Sequence, residues 1–482
     1  MNLKVIIKII GFILILVGFC MLAGIPFSIY YKGDDILALV ISSLITIFIG
    51  ATLWFSSRIE SEAEIGKREA YLIVTLGWIA SSAFATLPFL IHGSIPSFTD
   101  AFFEMMSGFT TTGSSILNDV EALPHGLLFW RSLTHWLGGM GIIVLSLAIL
   151  PLLGIGGMQL FQAEVAGPSK DKLHPRVTET AKRLWAIYIL LTFIEVVLLL
   201  FGGMNLFDAM CHSFGTLATG GFSTKNTSIA YFHSPFIEYV IIIFMFLGGT
   251  NFSLHYLALH GKITSYFKDE EFKFYLFFIL LTVGFAAGYL FIVNNQAFES
   301  SFRHAAFSIM TVLSSTGFAT VDYEAWAPFF TQFFLILLLF GACAGSTSGG
   351  VKMIRYHLLI KNGFLELKRL LHPSAVIPVR YNNRSVSNDI ISKVSSFVLL
   401  YLAIFGISSV IMAFLGLELQ SAMGSVAASM ANIGPGLGTT GPVSNYSHVP
   451  EFGKWVLSFL MLIGRLEIFT VVIIFSSAFW KK

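Results

Sequence analysis

The residues of this 482-residue chain best suited to chemistry are small ones, and they come in clusters. Thr111-Thr112-Gly113-Ser114-Ser115, Thr219-Gly220-Gly221-Phe222-Ser223-Thr224, Ser315-Thr316-Gly317-Phe318-Ala319-Thr320 and Asn432-Ile433-Gly434-Pro435-Gly436 each close a short apolar stretch. Their spacing is regular. Asp100-Ala101 precedes Gly113 by 13 residues, and the same offset separates Asp208-Ala209 from Gly221, His304-Ala305 from Gly317 and Ser421-Ala422 from Gly434. Glycine reaches positive φ at little cost, so it can turn successive carbonyls to one side. Rings of carbonyl oxygens replace the hydration shell of an alkali cation. The alternative is that small residues only let membrane helices pack closely, but packing gives no reason to keep one offset in four copies.

Other chemistries lack their residues. There is no GxSxG, no HExxH and no paired intramembrane aspartate, so a hydrolase would have no nucleophile and base. His255 and His260 are five apart with no glutamate between them, and His135 and His212 stand alone on apolar stretches as core residues. Cys20, Cys211 and Cys343 are odd in number, widely separated and embedded in apolar sequence, which leaves neither a disulfide framework nor a CxxC metal site. No GxGxxG follows a strand and no P-loop occurs, so nucleotide sensing would have to come from another chain.

The elements that must hold these clusters are set by composition. The chain is 55% hydrophobic and 12% charged, against about 25% charged in soluble domains, so lipid is the solvent for most of it. A net charge of +2 carries no basic field that would hold nucleic acid. Apolar runs of at least ~17 residues, long enough to cross a bilayer, lie near 5–29, 35–56, 71–92, 127–151, 184–203, 236–259, 274–293, 326–342, 394–416 and 454–479. Four shorter stretches, near 98–111, 205–217, 300–314 and 418–431, read as re-entrant and lead into the four clusters. The expected fold is an all-α polytopic membrane protein of ten spans. Two N-terminal spans (1–69) precede four units of span, re-entrant helix, loop and span, at 70–159, 160–260, 261–372 and 373–482, around one central pore. With the N-terminus inside, 23 of the 29 Lys and Arg fall on the cytoplasmic side, or 21 without Lys352 and Arg355 at the membrane border. Both termini are therefore expected in the cytoplasm. Asp100, Glu104, Asp208 and Glu418 stand at or near the starts of the short helices, where capping is the expected role.

With these residues in view, the chain resembles the Trk/Ktr/HKT superfamily of potassium transport proteins, on the side of its TrkH-type membrane subunits. The resemblance covers nearly the whole chain. It rests on the TGGFST and STGFAT loops, the GPG fourth loop, Gly345-Ser346-Thr347-Ser348-Gly349-Gly350-Val351-Lys352, the Gly464-Arg465 pair and the two leading spans. It implies a filter that binds K+ at Thr111, Thr112, Gly113, Thr219, Gly220, Gly221, Ser315, Thr316, Gly317, Asn432, Ile433 and Gly434. K+ would be the substrate ion, with no organic cofactor and no enzymatic activity. Sodium-preferring plant relatives carry Ser at the first filter position, so Gly113 points to potassium. The loops differ from a symmetric TVGYG filter and from one another. Gating would fall to Gly345, Ser346, Thr347, Ser348, Gly349, Gly350 and Lys352 as an intramembrane loop, of which a packing kink is the alternative, and to Arg465. That arginine stands ~20 Å from the Trp480 end of its helix and would raise the barrier to cations, unless it forms a structural ion pair with a residue such as Glu467.

The resemblance further implies a bacterial inner-membrane location, a homodimer and a cytosolic nucleotide-binding regulatory subunit of TrkA type. The basic segments 170–183 and 352–393 would form the docking surface, although orientation in the membrane alone would place the same charges there. A channel-like uptake subunit passing K+, Rb+ and, less well, Na+ is the leading expectation. A proton- or sodium-coupled symporter is the alternative, although carriers usually show two inverted repeats.

Overall fold

The computed structural model describes residues 1–57, 66–141, 177–375 and 377–481. Arg58, Lys170, Lys172 and Arg176, the end of the expected 127–151 span and part of the 170–183 segment lie outside the described residues. Helix dominates. Among the described residues two strands, Arg380–Tyr381 and Arg384–Ser385, form an antiparallel hairpin in the longest basic segment.

Among the described residues, six helical stretches are long and apolar enough to cross a membrane: Leu3–Tyr31, Ile36–Ser56, Lys67–His92, Ala181–Phe201, Glu270–Ile292 and Asn388–Phe414. Their outward faces are apolar, with Phe201 81% and Phe414 88% exposed, as lipid contact requires and water would penalise. Two further expected spans are sharply bent. Pro235–Gly249 meets Phe252–Leu259 at 102°, and Glu451–Arg465 meets Phe469–Phe475 at 110°. The stretch expected to span 326–342 is helical only over Pro328–Leu337, and 127–151 only over His125–Gly139 within the described residues. The glycine-rich sequence 341–350 explains the shortening of the first, since Gly is about 1 kcal/mol poorer than Ala in a helix.

The four short stretches are helices: Phe98–Phe109, Leu206–Leu217, Phe298–Leu313 and Leu419–Ala431. Ser97 and Asn205 start the first two by accepting the N–H of Asp100 (3.4 Å) and Asp208 (2.8 Å). Packing closes these helices into a circle. The first short helix packs on His125–Gly139, which packs on the second; the second packs on Pro235–Gly249, which packs on the third. The third touches Pro328–Leu337, which touches the fourth, and the fourth packs on Glu451–Arg465, which returns to the first. Outside this circle Lys67–Ala85, Val177–Phe201, Glu270–Ile292 and Asn388–Phe414 each back one short helix.

The two leading helices lie outside the circle and pack against its His125–Gly139 member. Gly11 and Gly50 bring their backbones together, because a Cβ on either would lie 2.7 Å from the other's carbonyl oxygen. Buried Asp35 accepts the N–H of Leu127 at 2.8 Å, pinning the hairpin to the first turn of His125–Gly139.

Candidate functional site

All four short helices end in one backbone motif. Thr111, Thr219, Ser315 and Asn432 adopt left-handed conformations with φ of 53°, 55°, 58° and 52°. Their N–H groups donate to Gly108, Thr216, Val312 and Ser429 at 3.1, 3.0, 3.0 and 3.3 Å. The following N–H groups, of Thr112, Gly220, Thr316 and Ile433, reach back to Ser107, Gly215, Thr311 and Ala428 at 2.8, 2.8, 2.8 and 2.9 Å. This is a Schellman closure, which normally takes glycine at its left-handed position. Here that position holds two threonines, a serine and an asparagine, and the strain of order 1–3 kcal/mol each marks a place where the surroundings dictate the backbone.

Two residues after each left-handed position stand Gly113, Gly221, Gly317 and Gly434, the first three at φ of 83°, 79° and 86°. A Cβ on Gly113 would strike the Gly220 carbonyl oxygen, and one on Gly221 would strike that of Thr316. A Cβ on Gly317 would lie 2.8 Å from the Gly434 nitrogen, and one on Gly434 would lie 2.8 Å from the Gly113 oxygen. Each loop therefore touches the next through bare backbone, and the fourth touches the first. Side chains lock this closure: Ser114 Oγ and Tyr446 Oη donate to the Gly434 carbonyl at 3.0 and 3.1 Å, and Asn432 Nδ2 donates to Thr112 Oγ1 at 3.1 Å. All twelve candidate filter residues thus lie in one ring.

Gly341 to Lys352 form a loop whose ends meet. Gly341 N–H donates to Val351 O at 2.9 Å and Met353 N–H to Ala342 O at 3.0 Å. Its tip presses on the ring. Gly349 N–H donates to Ser315 Oγ at 2.8 Å, Ser315 Oγ donates to Ser348 Oγ at 3.0 Å, and a Cβ on Gly349 would lie 2.7 Å from Asn432. Thr347 Oγ1 donates to Leu217 O and Gly248 O, Gly345 O accepts from Phe252 N–H, and Lys352 Nζ donates to Ser348 O. Ser346 Oγ turns inward to Cys343 O at 2.6 Å, and the buried Gly350 is left-handed at φ 69°. Arg465 reaches the same loop. Its guanidinium donates to Thr347 O at 2.6 Å and to Gly138 and Gly139 O at 2.6 and 2.8 Å, so one cation joins the loop, the end of His125–Gly139 and the bend of the last span. Glu467, weighed as its partner, accepts from Arg355.

The other polar residues singled out in the sequence take the following places. Glu104 is no cap: it is 0% exposed inside the first short helix and ion-paired with Arg131 at 2.7 Å. Asp100 accepts from Lys454 at 2.6 Å, and Asp208 accepts from Thr224 Oγ1 at 2.5 Å and Asn205 Nδ2 at 2.8 Å. Glu418 occupies the cap position of the fourth short helix without a capping bond. His135 bonds Gly108 O at 2.7 Å and stacks on Phe222 with centroids 4.0 Å apart, while His212 bonds Asp208 O and Ser223 Oγ. His255 joins Leu247 O to Tyr266 Oη across the 102° bend. Sequence reasoning missed Glu271, a buried carboxylate that accepts from Ala344 N–H (2.7 Å) and Ile354 N–H (3.0 Å) at the two shoulders of the loop. It also missed Arg131, whose signal was a charge inside an apolar helix.

A closed circle of helices in an apolar shell, lined at one level by strained backbone turns, defines the class: a multi-pass membrane transport protein. Comparisons with known proteins agree. The model of the TrkH family, described as cation transport protein, matches residues 36–482. The Trk system potassium uptake protein TrkH of Salmonella typhimurium is 40% identical over 487 residues, covering all of both chains. The Escherichia coli potassium uptake protein TrkG is 34% identical, covering 100% of this chain and 99% of its own. The crystal structure of the potassium transporter TrkH from Vibrio parahaemolyticus superposes with a TM-score of 0.89 at 37% identity, with full coverage of both chains. The chain belongs to the TrkH family of cation transport proteins and is a transporter, not an enzyme.

Proposed function

We propose that this chain is the potassium-translocating subunit of a Trk-type uptake system in a bacterial inner membrane. The observation that carries this is the ring of four strained turns, each backbone against the next. A stretch with no side chain between neighbouring loops brings carbonyl oxygens close enough together to replace water around a bare alkali cation. The relatives' names supply the ion. Residues 111–113, 219–221, 315–317 and 432–434 form the filter, passing K+ and Rb+ and, less well, Na+. The loop 345–350 with Lys352 lies against Ser315 and Asn432 and is the gate, and Arg465 holds it shut while setting a positive charge in the path. Two N-terminal spans and four units make ten spans with both termini in the cytoplasm. The functional unit is a homodimer docked by a nucleotide-binding regulatory subunit.

Arg465→Ala tests the gate. It removes three charge-assisted bonds to carbonyls, each of order 1.5–3 kcal/mol, so the loop is freed and 86Rb+ uptake into proteoliposomes holding this chain alone rises severalfold. Uptake equal to wild type in a folded variant would remove Arg465 from the gate.

A further inference from the structure

The four seams between neighbouring filter loops are built differently. Between the third and fourth, Glu324 accepts from Gly438 N–H and Gln420; between the second and third, Ala319 O accepts from Ile229 and Ala230 N–H. The fourth meets the first through Tyr446 N–H to Ser115 O at 2.8 Å. The seam between first and second carries exposed bonds of Asn226 to Val120, Asp119 and Glu121 and, in addition, a buried ion pair. Arg131 and Glu104 are 2% and 0% exposed, and neither is a member of the ring.

Both members of this pair reach a filter loop or its immediate continuation. Glu104 Oε1 accepts from Arg131 Nε (2.7 Å) and Ser115 Oγ (2.9 Å), and its Oε2 accepts from Ile116 N–H (2.8 Å). Arg131 Nη1 donates to Ser223 O at 3.1 Å, and the guanidinium carbon lies 3.4 Å from the centre of the Phe222 ring. Ser115 and Ile116 follow Gly113 by two and three residues; Phe222 and Ser223 follow Gly221 by one and two. The carboxylate thus holds the outgoing strand of the first loop, and the guanidinium holds that of the second. Phe222 in turn covers His135, which bonds Gly108 O and would strike any Cβ on Gly220.

We propose that Glu104 and Arg131 are positioning residues for ion selectivity, fixing the distance between the first and second filter loops from behind. The inference rests on the filter reading above. Away from water such a pair is costly to desolvate, and its planar, doubly anchored geometry is what a hydrophobic replacement of equal volume cannot supply. If it served stability alone, weakening it would lower Tm and leave the K+ to Na+ ratio unchanged. If it sets loop spacing, the ratio falls even when the protein stays folded.

The test uses Arg131→Lys, which keeps the charge and loses the fork, and Ser115→Ala, which deletes the bond to Glu104 together with the local turn bond from Leu117 N–H (3.1 Å) and leaves the Ser115 backbone bond to Tyr446 intact. Both are reconstituted with wild type and Gly434→Ser, and tracer K+ and Na+ uptake is read per folded protein alongside Tm. The expected result is a K+:Na+ uptake ratio reduced roughly fivefold in Arg131→Lys, about 1 kcal/mol of discrimination, and about twofold in Ser115→Ala, with total flux retained. An unchanged ratio in Ser115→Ala and in folded Arg131→Lys overturns the proposal; should Arg131→Lys fail to fold, Ser115→Ala alone decides. If Gly434→Ser also leaves the ratio unchanged, the filter assignment itself fails; if Gly434→Ser shifts it and the other two do not, only the positioning role is lost.

Discussion

Gly317 shows how little room a ring position allows. Its φ of 86° is open to glycine at little cost, and a Cβ there would lie 2.8 Å from the Gly434 nitrogen and 3.0 Å from Pro435 Cδ. Gly317→Ala therefore combines strain of about 1–3 kcal/mol with a push on the fourth loop. Its K+:Na+ uptake ratio is expected to fall several-fold while the variant still inserts and purifies; a wild-type ratio would mean that the third loop does not discriminate. This residue was legible in the sequence, because a fixed offset from an Ala-containing dipeptide is a feature of the chain itself. The left-handed position two residues earlier was not. Thr219 and Ser315 are poor left-handed residues, and nothing local marks them as such; the helix closure and the neighbouring loops impose the conformation. Glu104 and Arg131 were hidden for another reason. An acid near a helix start has a common role in capping, and only the fold brings a residue 27 positions away to its oxygen.

At the scale of elements, the loop of residues 341–352 is a staple with two legs and one lock. The legs are the paired ends around Gly341 and Met353, and the lock is Glu271 Oε1, which receives N–H groups from both shoulders. Glu271→Ala leaves two buried donors without their acceptor, at about 1–3 kcal/mol. Expected are a lowered Tm and a higher basal 86Rb+ uptake in proteoliposomes, because the closed arrangement loses more than any open one; a lowered Tm with unchanged uptake would make Glu271 a structural residue only. The interruption of this span was visible as four glycines and three hydroxyl residues in ten positions, 341–350. The sharp bends at residues 250 and 466 were harder to see. Gly248-Gly249 announces the first mildly, and the second turns on Glu467 and Ile468 at φ of 52° and 26°, residue types that give no warning.

Across the whole molecule, the closed circle of helices explains why so irregular a backbone is tolerated at membrane depth. Unpaired N–H and C=O groups in lipid would cost several kcal/mol each, and here the irregular segments face one another inside a shell whose outer surface is apolar. The proposed topology, with basic loops retained on the cytoplasmic side, puts the hairpin at Arg380–Ser385 in the cytoplasm. With Cys211 and Cys343 buried and the partly exposed Cys20 replaced by Ser, Asn383→Cys should be labelled by a membrane-impermeant maleimide in inside-out vesicles and not in intact cells, and the reverse pattern would invert the assigned topology. The central claim, a channel-like pore selective at the four-loop ring, is tested most directly by tracer uptake of K+, Rb+ and Na+ into proteoliposomes, wild type against Gly434→Ser, with and without an imposed proton gradient. The account predicts K+ and Rb+ uptake driven by the potassium gradient alone, indifferent to protons, with Na+ favoured relative to K+ once a side chain at position 434 meets the Gly113 carbonyl. Uptake that requires a proton or sodium gradient, together with an unchanged ion preference in Gly434→Ser, would contradict it and make the protein a coupled carrier whose site lies elsewhere.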